Sequence, residues 1–132
     1  MPKGAIPEKF FDILEAKGLV NIATVDPQGR PEVNPAWFIF QDGQIWLSIT
    51  EAKHKYKNLV NNPAIALSFI DAENGYRYLE VRGTISEIVL DENRELINAI
   101  AQKYTGADFA FDAPGTVRYK FAVNVESWTT NA

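Results

Sequence analysis

The sequence has no cysteine and only one histidine. Without thiols there are no disulfides, no thiolate metal centres and no cysteine nucleophile. A single imidazole cannot build a His-rich metal site, which leaves only carboxylate sites formally open. Positive charge is also scarce. Thirteen Lys and Arg stand against 17 Asp and Glu, giving a net charge of −4 and a pI near 5.0. No global field therefore draws the chain to nucleic acid or to an anionic membrane. No apolar run approaches bilayer-spanning length. Met1-Pro2-Lys3-Gly4-Ala5-Ile6 lacks the apolar core of a secretory signal, so the expected location is cytoplasmic. The familiar enzyme signatures are missing as well: no G-x-x-x-x-G-K-[ST] loop, no G-x-G-x-x-G and no G-x-S-x-G elbow.

What remains is an ordinary globular composition. The chain has 132 residues, 46% hydrophobic and 23% charged, the size and make-up of a single domain with a real core. Pro7-Glu8 followed by Phe10, Phe11, Ile13 and Leu14 predicts an amphipathic helix, with Lys17 in its last turn and Gly18 just past it. Leu19 to Val25 reads as a strand, closed by the turn Asp26-Pro27-Gln28-Gly29. A second strand is expected from about Arg30 to Phe40, and Asn34-Pro35 interrupting it suggests an edge position or a bulge, because proline cannot donate to the ladder. Asp42-Gly43 signals a hairpin into the strand Gln44–Ile49. A short basic helix follows, then a strand at Ala64–Ile70 and a turn at Asn74-Gly75. Tyr76 to Leu90 alternates as a long strand, with Leu79, Val81, Gly83 and Ile85 on one face. Asp91 is placed to cap a third helix carrying Leu96, Ile97, Ile100, Ala101 and Tyr104, and Gly106 to end it. Val117 to about Trp128 is the last strand. Short strands joined by tight turns point to a closed antiparallel barrel rather than a parallel sheet.

The stretch from Ile49 to Leu59 is the most unusual. Lys53, His54, Lys55 and Lys57 fall within five residues, and no acid occurs from Ala52 to Asn62. These lysines lie between a strand end and the first turn of a helix, where partial positive charge already favours acids. A bound anion would remove the conflict, since free N–H groups and ammonium groups would both point at it. A run of charges is more often just a solvated face. The strand–turn–helix setting leaves both readings open.

Catalytic groups are harder to find. Ser48 and His54 lack a positioned acid that would make them a hydrolytic dyad. Asp71 with Glu73 and Asp91 with Glu92 sit at turns and helix starts, where acids serve as caps. Most aromatics lie in alternating strands and read as core. Trp37 is the exception, because it follows the irregular Asn34-Pro35 segment, where free backbone groups could read the edge of a flat heterocycle. The residues together favour a barrel that holds a phosphorylated, flat, mostly apolar ligand bringing its own chemistry.

The sequence resembles the pyridoxamine 5′-phosphate oxidase-like flavin-binding split barrels, and within them the small-enzyme branch that depends on the deazaflavin coenzyme F-420. The residues that carry the likeness are Ile22-Ala23-Thr24-Val25, Gly29-Arg30-Pro31, Lys55-Tyr56-Lys57-Asn58-Leu59 with Asn62-Pro63, and the run from Tyr76 to Gly83. The resemblance implies a mainly β (α+β) fold, a six-stranded antiparallel split barrel with three flanking helices. It also implies a homodimer with two cofactor sites in the dimer grooves, holding FMN or deazaflavin F-420. The phosphate would be gripped by Lys53, Lys55 and Lys57, with Ser48, Ile49 and Thr50 beside them, and the ring would lie along Asn34, Pro35, Ala36 and Trp37. The implied chemistry is hydride transfer with a small unsaturated or aromatic substrate stacked on the ring, and no dedicated protein acid or base.

The likeness has gaps. The C-terminal Trp128-Thr129-Thr130-Asn131-Ala132 carries no Arg or His cluster for a substrate phosphate, so vitamin B6 oxidation is not expected. Lysines stand where relatives often have arginine, which keeps charge but loses the bidentate fork. Arg77, Arg82 or Arg118 would be available for the acidic tail of the deazaflavin. The alternative is a non-catalytic protein that binds FMN, deazaflavin or haem for storage, sensing or delivery, with His54 the only histidine for a haem. Single-stranded nucleic-acid binding has the aromatics but the wrong overall charge.

Overall fold

The computed structural model describes residues 2–131. Strands β1 (Val20–Val25) and β2 (Pro31–Ala36) form a hairpin over the predicted turn. Gly29 closes it, donating its N–H to Asp26 O at 2.9 Å with φ at +81°, while the Asp26 carboxylate accepts the amides of Gln28 and Arg30. β3 (Ile39–Gln41) and β4 (Gln44–Thr50) form a second hairpin, where Asp42 and Gly43 both take positive φ as a two-residue turn requires. After helix α2 (His54–Asn61) come β5 (Ala64–Ile70) and β6 (Tyr78–Leu90), then helix α3 (Glu95–Thr105) and β7 (Arg118–Thr130).

The sheet has seven strands in the order β2-β1-β5-β6-β7-β4-β3, all antiparallel, one more than the expected six. The extra strand comes from a break in the expected Arg30–Phe40 strand. The break falls at Trp37-Phe38, not at Asn34-Pro35. On one side of it the chain pairs with β1 and on the other with β4, so the two halves of one bent strand occupy opposite ends of the sheet and curl it into a barrel. Pro31 and Pro35 share a parity along β2, whose outer edge is unpaired, so neither missing N–H is needed in a ladder. At the break, backbone polar groups are served by α3: the Tyr104 hydroxyl accepts Phe38 N–H at 3.4 Å, and Lys103 Nζ donates to Phe38 O at 3.2 Å. Phe38 itself is buried, edge-on to Phe69.

The barrel interior is filled by Ile22, Phe38, Leu47, Leu67, Phe69, Leu79, Val81 and Phe121. α1 (Phe11–Glu15) is shorter than expected and follows a 3₁₀ turn at Glu8–Phe10, with Phe10, Ile13 and Leu14 against the core. Arg77 ties this end to the β5–β6 loop, binding both oxygens of Asp12 and one of Asp71. β6 and β7 pair with register shifts after Arg82 and Ile85, so the alternation holds through Ile85 and the end of β6 leaves the core. Gly83 is compulsory at the first shift: a Cβ there would stand 1.9 Å from Asn124 O. Asp91 caps α3 as expected, its carboxylate accepting the amides of Leu96 and Ile97, and Gly106 ends the helix at φ +77°. Among the described residues no helix is long and apolar enough to cross a membrane.

Candidate anion and cofactor site

Pairing of β4 with β7 sets Thr50 opposite Arg118 and Ser48 opposite Lys120. Beyond Thr50 the chain turns tightly, with Lys53 N–H donating to Thr50 O and Glu51 N–H to Val117 O. α2 then starts at His54 with no capping side chain and no acid in its first turn. Its basic residues are therefore delivered to the end of the barrel where β4 finishes and β7 begins. A cavity of about 210 Å³ opens there. Ser48, Thr50, Lys53, Lys55 and Arg118 form its polar side, and Ala36, Trp37, Ile49, Ile97, Ile100 and Phe109 its apolar side. A more polar hollow of about 450 Å³ adjoins it, sharing Thr50, Lys53 and Arg118 and continuing along residues 114–117.

Seven of the ten residues singled out in the sequence line this cavity. Asn34 does not, but its side-chain oxygen accepts a hydrogen bond from Lys55 Nζ at 3.0 Å. Pro35 is exposed on the edge strand, and Lys57 is exposed and off the lining. The last point follows from helix geometry: Lys55 and Lys57 both lie within α2, two apart and so on different faces, whereas Lys53 precedes the helix in extended backbone. Ile49 is 1% exposed, its side chain being part of the core. Trp37 lies flat against Tyr104, with ring centroids 4.8 Å apart and planes 5° from parallel, and meets Phe109 edge-on. One face of the indole is thus taken by the protein, which makes Trp37 a braced wall.

Ile97, Ile100 and Phe109 line the cavity without having been expected there, and Arg118, expected only at an acidic cofactor tail, lines it too. Arg118 is the most firmly held cation of the group. Its Nε and Nη2 donate to the two oxygens of Asp112 at 2.6 and 2.8 Å, its Nη1 to Ser48 Oγ at 3.2 Å, and its guanidinium lies over the Phe109 ring. Arg94 also donates to Asp112, at 2.9 Å. Hydrogen bonds from Arg118 and then Arg94 hold the Asp112 carboxyl down to about 2.

Lys55 is in the opposite situation. Burial, then the nearby charges of Lys53 and Arg118, lower its pKa. Arg118 is paired with Asp112 from behind, but among the described residues no carboxylate lines the cavity or pairs with Lys53 or Lys55. Lys53 and Lys55 thus repel one another, and an anion bound between them would relieve that repulsion. Hydroxyls of Ser48 and Thr50 add donors, and the apolar side suits a flat ring. Among the described residues neither Asp, Glu nor His lines the cavity, so its titratable side chains are Lys53, Lys55 and Arg118. His54 is 83% exposed and turns towards Glu32 at 3.9 Å, whereas Ser48 accepts from Arg118, so the two do not form a dyad. Among the described residues no group of three or more His, Asp or Glu stands ready for a metal ion.

The sequence model of the pyridoxamine 5′-phosphate oxidase family matches residues 6–130, nearly the whole chain. The chain belongs to the pyridoxamine 5′-phosphate oxidase family. The curved seven-stranded sheet is that family's split barrel. Among solved structures, an F420 reductase is 34% identical, covers 94% of this chain and 98% of its own, and superposes with a TM-score of 0.85. A conserved hypothetical protein from Mycobacterium tuberculosis is 19% identical over 96% of this chain and 84% of its own, with a TM-score of 0.76. HupZ from Group A Streptococcus is 21% identical over 96% and 94%, with a TM-score of 0.69. At such low identity these last two are similar in fold alone. Comparison with curated proteins by sequence found no match. Membership of the pyridoxamine 5′-phosphate oxidase family, together with the F420 reductase neighbour, points to the flavin or deazaflavin class of cofactor and to oxidoreductases as the functional class.

Proposed function

We propose that this chain is an oxidoreductase that binds a flavin or deazaflavin by its phosphate and passes hydride between that cofactor and a small unsaturated or aromatic substrate. The observation that carries the reading is the grouping of Lys53, Lys55 and Arg118 on a cavity with no facing carboxylate and an apolar opposite wall. Lys53, Lys55 and the hydroxyls of Ser48 and Thr50 hold the phosphate, and Arg118 supplies the oriented fork that the lysines lack. Trp37, Ile97, Ile100 and Phe109 shield the ring from water. When bound, the cofactor would supply the redox chemistry. Of FMN and deazaflavin F-420, the second is favoured by the 34% identical F420 reductase.

A cavity of about 210 Å³ is smaller than the roughly 300–1,000 Å³ common for small-molecule sites. A second copy of the chain is therefore proposed to supply the missing wall, giving a homodimer with two sites. Light scattering that finds a monomer at full cofactor occupancy would refute the dimer.

The decisive experiment for the function is a fluorescence titration of F-420 and FMN into the parent and a Lys53→Glu/Lys55→Glu variant, followed by reoxidation of the reduced complex with candidate enones and nitroaromatics. The variant is expected to lose cofactor retention while keeping its fold. Equal affinity in both proteins would sink the phosphate assignment, and binding without any turnover would leave a carrier rather than an enzyme.

A further inference from the structure

Asp112 is a puzzling neighbour for an anion site. It lies on the α3–β7 loop, on the wall of the adjoining hollow, and its negative charge opposes any phosphate bound near Lys53 and Arg118. Yet it makes the most extensive side-chain contacts around the site. Both of its oxygens are engaged by the Arg118 fork, and one also takes Arg94. Arg118 is only 12% exposed, pinned at Nε and Nη2 by Asp112 and at Nη1 by Ser48, with Phe109 beneath its plane. A guanidinium fixed along both edges keeps its remaining donors aimed in one direction and loses little rotamer freedom when an anion arrives.

We propose that Asp112 is a positioning residue for the cofactor phosphate, acting through Arg118: it orients the guanidinium so that the remaining donors face the cavity. This rests on the phosphate reading above.

Orientation and simple charge predict opposite signs, which makes the inference testable. Asp112→Asn keeps the shape and makes the site one unit more positive, so by charge alone FMN should bind more tightly. If Asp112 orients Arg118, the amide offers one acceptor oxygen where two were used, the fork loses a partner, and FMN binds more weakly despite the added charge. The experiment is fluorescence titration of FMN and riboflavin, which differ by the phosphate alone, into the parent, Asp112→Asn, Asp112→Glu, Arg94→Gln and Arg118→Lys, with a melting curve for each. Asp112→Asn is expected to weaken FMN roughly tenfold or more and to leave riboflavin unchanged. Asp112→Glu should recover most of the loss. Arg94→Gln, which frees the loop anchor but not the Arg118 pair, should keep FMN affinity within about threefold.

Equal or tighter FMN binding in Asp112→Asn overturns the inference, as does a matching loss for riboflavin. If Asp112→Asn fails to fold, Arg118→Lys carries the test: it retains the charge and loses the fork, so undiminished FMN affinity there overturns the inference too. A parent that binds riboflavin as well as FMN brings down the phosphate reading itself, whatever the variants do.

Discussion

Replacing Lys55 with methionine should stabilise the empty protein and impair it as a binder. The side chain is half-buried, and burial, Lys53 and Arg118 each disfavour its charged form. Its one hydrogen-bond acceptor is Asn34 Oδ1 at 3.0 Å, an uncharged group only partly buried and able to turn to water instead. Methionine keeps the length and apolar stem while removing desolvation and like-charge repulsion, against the loss of a single hydrogen bond contributing about 1 kcal/mol. The net gain expected is small, between zero and about 1 kcal/mol, or up to roughly 5 °C in melting temperature for a domain of this size. Binding should change far more. A charge-assisted hydrogen bond to phosphate contributes about 1.5–3 kcal/mol, so the FMN or F-420 dissociation constant should rise roughly 10- to 150-fold. Thermal melts of Lys55→Met and parent, with and without saturating cofactor, read both effects at once. The parent should gain more from ligand than the variant does. A variant that melts well below the parent when empty, yet binds cofactor equally well, would refute the idea that Lys55 is held in place for an anion.

Other consequences concern the fold. Gly83→Ala must push the β6–β7 ladder apart, because the new Cβ would meet Asn124 O at 1.9 Å. A loss of at least about 3 kcal/mol is expected in urea unfolding, and a loss under about 1 kcal/mol would contradict the close approach. Lys103 is expected to give the stability curve an alkaline slope. Burial lowers its pKa from 10.5 to about 8, with Phe38 O and the faces of Phe38 and Tyr104 around Nζ. Between those two values the unfolded chain holds the proton that the folded one has released, so stability rises with pH. Relative to Lys103→Met, the parent should therefore gain stability from pH 8 to 10.5, and a constant difference across that range would argue against it. Asp112 acts at the acid end. Its carboxyl is lowered from 3.8 to about 2, so its contribution is complete above 3.8 and disappears as pH falls towards 2. After allowance for solvent screening this is about 1–2 kcal/mol, and it should vanish from the acid unfolding of Asp112→Asn.

Local chemistry was legible in the sequence wherever a few neighbouring residues settle the geometry. Asp26–Gly29 and Asp42-Gly43 specify their turns through side-chain acceptors and positive φ, and both hairpins form where those residues stand. Asp91 and Gly106 bracket α3 for the same reason, although Arg94 in a left-handed conformation delays the helix start to Glu95. The break at Trp37-Phe38 was not legible, because the groups that serve its backbone, Tyr104 and Lys103, lie 66 and 65 residues further on. Asn34-Pro35 did signal the edge position that β2 takes, where a proline costs the ladder nothing, but not the break two residues on. Arg118 was hidden similarly: its place beside Thr50 depends on the β4–β7 register, and its orientation on a loop acid. Phe109 reaches the cavity because Asn98 holds its amide at 3.0 Å, a contact with no signature in an Ala-, Asp- and Gly-rich loop. Lys57 is the reverse case. Composition grouped it with Lys53 and Lys55, and the helical repeat turns it away.

The most direct measurement is a crystal structure of the protein with FMN or F-420, whichever titrates in more tightly. The phosphate is predicted within hydrogen-bond distance of Lys53 or Lys55 and of Arg118, with the ring against the wall formed by Trp37. A phosphate directed into solvent, or seated elsewhere with these three cations unengaged, would contradict the assignment.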